Sequence, residues 1–92
     1  MVSDNDSLVI RKLATRYNVS RVVLFGSSAA ADRGANDIDL GVEGVSPKDF
    51  FRLYGELIFG LSRPVDLLDL SRETAFAREV REHGIPLYER PG

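Results

Sequence analysis

Apolar positions recur with two periods along the chain, and the switches between them mark its elements. Ile10, Leu13, Ala14 and Tyr17 follow the i, i+3, i+4, i+7 spacing of one buried helix face. Asp4 to Ser7 supply N-cap candidates ahead of it, and Asn18 can end that helix. Arg21 to Phe25 (RVVLF) is a short β-branched and apolar run, the mark of a strand buried on both faces. Gly26-Ser27 breaks the run. Ser28 to Ala31 is alanine-rich and predicts a short helix or turn; Asp32 to Asn36 predicts a loop. Asp37 to Val42 (DIDLGV) reads as a second strand. Ser46 caps a long helix with Pro47 at its first position. Phe50, Leu53, Tyr54, Leu57, Ile58 and Leu61 form its apolar stripe, and Arg63-Pro64 stops it. Val65 to Leu70 (VDLLDL) is a third strand. Ser71 is placed as the cap of a last helix carrying Phe76 and Val80. Gly84 is its C-cap, with Pro86 beyond. Ile85 to Tyr88 predicts a short final strand.

This order predicts an α+β fold with α/β-like alternation: a single mixed β-sheet flanked by helices. With no internal repeat, residues 1–92 are expected to form one domain. A chain this short buries only roughly 60–70% of its unfolded surface. A partner, whether a second copy in a homo-oligomer or another protein, is therefore expected to add buried area.

Composition narrows the function classes. The chain is 43% hydrophobic and 28% charged, as in a soluble globular protein, and its formal net charge is −2. That balance argues against direct nucleic-acid binding, which needs a basic footprint to neutralise phosphates. There is no cysteine, which excludes a disulfide framework, a thiolate metal site and a cysteine nucleophile. A single histidine, His83, excludes a histidine cage, and a surface or helix-end role is expected for it. The polar, acidic MVSDNDS start is not a signal peptide, and no apolar run approaches membrane-spanning length. A cytoplasmic protein without membrane contact is expected.

The informative anomaly is DID. Side chains alternate along a strand, so Asp37 and Asp39 share a side, with Cα atoms roughly 6–7 Å apart. Aspartate is depleted in strands and like charges on one face repel. Ile38 and Leu40 assign the other face to the core. Two converging carboxylates call for a counter-charge, and hard oxygen ligands suit Mg²⁺, which takes one or two carboxylates plus substrate phosphates. A solvent-facing edge strand with two harmless aspartates is the plainer alternative. Gly26 lets the backbone pass close to a ligand. Ser27 opens the following turn, whose free N–H groups would suit a phosphate. In VDLLDL, Asp66 and Asp69 are an odd number apart and face opposite sides, so only one can join Asp37 and Asp39. Asp66 is the choice, with Asp69 as the alternative; Asp69 otherwise supports the site or helps to cap the last helix.

Gly-Ser, a spacer, Asp-x-Asp and a later lone strand aspartate together resemble the polymerase-beta-like nucleotidyltransferases. LFGSSA, NDIDLGV, RPVDLLDL and HGIPLYE look most like segments of the minimal nucleotidyltransferases, MntA-type antitoxin partners of HEPN-domain toxins. The resemblance spans nearly the whole chain. It implies that Gly26 and Ser27 hold the triphosphate of ATP, with Arg33 the only cation of the loop able to reach a phosphate. It implies that Asp37 and Asp39 ligate two Mg²⁺ ions. Asp66 would ligate the catalytic metal and help to activate the acceptor hydroxyl. The implied reaction is in-line attack on the α-phosphate with loss of pyrophosphate, between two metals roughly 3.5–4 Å apart. Little chain follows Asp66, so the acceptor is expected on another protein: a hydroxyl, by resemblance a tyrosine of a HEPN toxin. The departures lie in Ser28-Ala29-Ala30-Ala31 and in Asn36, which stands where serine is usual.

The leading expectation is an Mg²⁺-dependent protein adenylyltransferase acting as an antitoxin. The alternative is a module of the same fold that neutralises its toxin by contact, with weak or absent catalysis. An antibiotic-modifying transferase ranks third, because no acceptor domain is evident. Phe59, opposite the apolar stripe, is the better interface candidate; Phe51 is expected to be partly buried.

Overall fold

The computed structural model describes residues 2–26 and 37–91. Its elements are α1 (Asp4–Arg16), β1 (Arg21–Phe25), β2 (Ile38–Glu43), α2 (Pro47–Gly60), β3 (Val65–Asp69), α3 (Ala75–His83) and β4 (Ile85–Glu89). The strands form one sheet in the order β3-β2-β1-β4. β1 pairs antiparallel with both β2 and β4, and β2 pairs parallel with β3. The sheet is mixed and helix-flanked, as the pattern of elements implied. The expected short helix at Ser28 to Ala31 and loop at Asp32 to Asn36 lie outside the described residues.

Two cores sandwich the sheet. Ile10, Leu13 and Ala14 of α1 and Leu53 and Leu57 of α2 pack on Val22, Leu24, Ile38, Leu40, Val42 and Val65. On the opposite face Ala77 and Val80 of α3 pack with Val23 and Leu70. β1 and β2 are buried on both sides, which explains their nearly continuous apolar runs. At Asn18 the backbone turns left-handed (φ 54°) and closes α1.

Several local expectations are corrected. Ser3, not a residue of Asp4 to Ser7, caps α1, accepting from the Asp6 N–H at 3.1 Å. Asp6 is instead only 1% exposed, its carboxylate accepting from the Ser62 N–H (3.1 Å) and hydroxyl (2.5 Å). It ties the start of α1 to the chain leaving α2. Asp6→Ala is expected to cost about 2–3 kcal/mol by orphaning both Ser62 donors, a loss that urea denaturation would measure. Thr74, not Ser71, caps α3; the Ser71 N–H is taken by Asp69 Oδ1 at 2.9 Å in the preceding turn. Ser46 does cap α2 with Pro47 in its first turn, and Gly84 closes α3. Ile58 (58% exposed) and Phe76 (57%) stand outside the cores. Phe51, expected to be partly buried, is 73% exposed and Phe59 is 93% exposed. Of the expected α2 stripe, Leu53, Leu57 and Leu61 are buried in the first core and Phe50 and Tyr54 pack against it, so Ile58 is the one member that stands outside.

Candidate active site

The site is built on the face of the sheet that α3 covers only in part. Phe25 of β1 stands opposite Asp39 of β2, and Asp39 stands beside Asp66 of β3. Directly paired residues point to one face, so Phe25, Asp39 and Asp66 form a row across three strands. Asp37, expected as the first residue of this strand, lies instead in the bend one residue before β2 and is exposed. β2 and β3 run parallel, so Asp39 and Asp66 lie toward the N-terminal ends of adjacent strands. Asp69 pairs with Val42 further along and turns back to Ser71. The register thus sets Asp66, and not Asp69, beside Asp39.

The carboxylates feel one another. Burial pushes Asp39 above the usual carboxylate range, and the charges of Asp66 and then Asp37 add to the shift. Gly26 presses on the same group. It adopts φ +68°, and a Cβ there would collide with Asp39 Oδ2. The turn after β1 and the Asp-x-Asp strand are therefore in contact at the site. Ser27 and Arg33 lie outside the described residues. A groove of about 320 Å³ opens beside Gly26, lined by Phe25, Phe76, Glu79 and His83. Phe76 packs edge-on against Phe25 at 5.8 Å. A roomier cavity of about 510 Å³, between Phe51, Leu68 and Arg72, is lined by Asp69 but by none of Asp37, Asp39 and Asp66.

One neighbour escaped the sequence reading. Tyr54, assigned to the α2 stripe, places its hydroxyl 3.3 Å from the Val65 carbonyl oxygen and 3.5 Å from Asp66 Oδ1. Its apolar ring satisfied the helical period, so nothing in the pattern marked the hydroxyl at its end.

The donor set has the chemistry of a Mg²⁺ site: hard oxygens and crowded like charges that a divalent cation relieves. Among the described residues no three acidic or histidine side chains close around a single point. Ions held there by Asp37, Asp39 and Asp66 would complete their shells with phosphate oxygens and water, as Mg²⁺ usually does. Among those residues, too, no helix is long and apolar enough to cross a membrane.

Solved structures share this architecture. A chain of the MntA–HepT toxin–antitoxin structure superposes with a TM-score of 0.71 at 22% identity, covering 96% of this chain and 74% of that one. A toxin–antitoxin structure with AMP-PNP gives 0.73 at 23%, covering 96% and 75%. A tri-AMPylated Shewanella oneidensis HEPN toxin in complex with its MNT antitoxin gives 0.69 at 24%, covering 92% and 71%. At such identities the likeness establishes the fold. No curated protein sequence matches the chain. The family model of the polymerase beta nucleotidyltransferases, however, matches residues 9–91, so this chain belongs to the polymerase beta nucleotidyltransferase family.

Proposed function

We propose that the protein transfers AMP from ATP to a hydroxyl of a partner protein, a tyrosine of a HEPN toxin, and so acts as a cytoplasmic antitoxin. The observation that carries this reading is the row of Asp39 and Asp66 on adjacent parallel strands, with Gly26 against Asp39. Membership of the family and a fold shared with MNT antitoxins support it.

Each residue has a task. Asp37 and Asp39 would hold Mg²⁺, with Asp66 sharing the catalytic ion; bound there, Mg²⁺ neutralises the phosphate charge that builds during transfer. Gly26, with Ser27 and Arg33, would receive the triphosphate, the glycine because only it lets backbone approach past Asp39. Asp66, at the edge of the sheet, would orient and deprotonate the incoming hydroxyl. Positioning and charge neutralisation dominate such transfers.

The test incubates the protein with Mg²⁺, α-labelled ATP and its HEPN partner. Label should pass to the partner with the wild type. It should be lost in a variant lacking the carboxylates of Asp37, Asp39 and Asp66. If that variant neutralises the toxin as well as the wild type does, neutralisation is by contact and the catalytic reading fails.

A further inference from the structure

Among the three tyrosines, one hydroxyl lies beside Asp66, the carboxylate to which acceptor activation is assigned above. Tyr17 is engaged by Glu56 between α1 and α2. Tyr88 is on β4, at the opposite edge of the sheet from β3. Tyr54 alone reaches one of these carboxylates, its hydroxyl 3.5 Å from Asp66 Oδ1. Its ring is half-buried and braced edge-on by Phe50 at 6.0 Å, which leaves the hydroxyl little freedom to wander. The bond it offers Asp66 is itself exposed at the surface. Its single hydrogen is shared between the Val65 carbonyl and the carboxylate. A hydroxyl held against the group that activates acceptors already has the proximity that intermolecular transfer must obtain by binding.

We infer that Tyr54 is an intramolecular acceptor: the protein adenylylates its own Tyr54. The inference rests on the transfer reaction proposed above. Tyr54 Oη attacks the α-phosphorus of ATP, forming a phosphodiester O–P bond. The bond from that phosphorus to the bridging oxygen breaks, and pyrophosphate leaves. The phenolic proton passes to Asp66 and then to water. The product carries an adenylyl group over Asp66, where an external hydroxyl would otherwise enter. Self-modification therefore limits transfer to the partner.

The experiment incubates the full chain with Mg²⁺ and α-labelled ATP, without and with a HEPN partner, and maps the adduct by peptide mass spectrometry. One adenylyl group on Tyr54 is expected, formed at a rate per molecule that does not change on dilution. It should be absent from Tyr54→Phe and from Asp39→Asn. Transfer to the partner with an unmodified Tyr54 peptide overturns the inference but leaves the transfer reaction standing. A rate that falls in proportion to protein concentration also overturns it, since the acceptor would then belong to another copy. No transfer to either acceptor sinks both. A second readout needs no catalysis. N-acetylimidazole should acetylate Tyr54 in the folded, metal-free protein, and Mg²⁺ with α,β-methylene-ATP should protect it. An unreactive Tyr54 means that no electrophile reaches the hydroxyl, and the inference falls.

Discussion

Asp39→Asn is expected to abolish AMP transfer and at the same time to raise the melting temperature of the nucleotide-free protein. The two effects share one cause. Burial and the charges of Asp66 and Asp37 hold the Asp39 carboxyl above its ordinary range. Its charged form is therefore less favourable in the folded chain than in the unfolded one. As pH rises through the interval between its unfolded and its folded values, stability is lost. Above that interval the full penalty remains, so it is present at neutral pH. Asparagine is uncharged at every pH and removes the penalty. The gain should be complete at pH 7 and vanish in acid, below the ordinary carboxylate range. Each 1 kcal/mol recovered would appear as roughly 4–8 °C in a domain of this size. Mg²⁺ should raise the melting temperature of the wild type more than that of the variant. Activity moves the other way. A ligand that supports several kcal/mol of charge stabilisation should cost at least about 10³-fold in transfer when lost. A variant that keeps its activity, or is less stable at pH 7, contradicts this account of the site.

Gly26→Ala carries the second large effect. A non-glycine residue in the left-handed region costs roughly 1–2 kcal/mol. The larger harm is local, because the new methyl group must displace the Asp39 carboxylate. A misplacement near 1 Å at a reacting centre can cost about 10²-fold. Transfer should fall by about that factor, with a lowered melting temperature, in contrast to the raised one of Asp39→Asn. Calorimetry and the labelled-ATP assay separate the two variants by the opposite signs of their stability changes. Unchanged transfer in Gly26→Ala would mean that the turn and the strand do not work together.

Much of the fold could be read in the chain because its elements announce themselves locally. Ser46-Pro47 at the start of α2 and Gly84 at the end of α3 are punctuation that acts within a few residues. The period-two character of DIDLGV marked Asp39 as facing away from the core, and it does pair with Phe25 on that side. Caps were less legible where several polar residues crowd together. Ser3 and Thr74 displaced the expected residues because Asp6 was drawn inward to Ser62 and Asp69 had already taken the Ser71 N–H. Those partners lie beyond the reach of a local pattern.

Local pattern along the chain was enough to place the described helices and strands, the aspartates crowded into DID and VDLLDL, and the glycine after the first strand. Periodicity and backbone sterics are properties of near neighbours, so they can be read along the chain. Three relations needed the folded chain: Asp66 rather than Asp69 stands beside Asp39, Gly26 touches that carboxylate, and the Tyr54 hydroxyl reaches Asp66. Those facts depend on the register of two parallel strands and on where a helix lands across them. Such relations are set by packing the whole core at once.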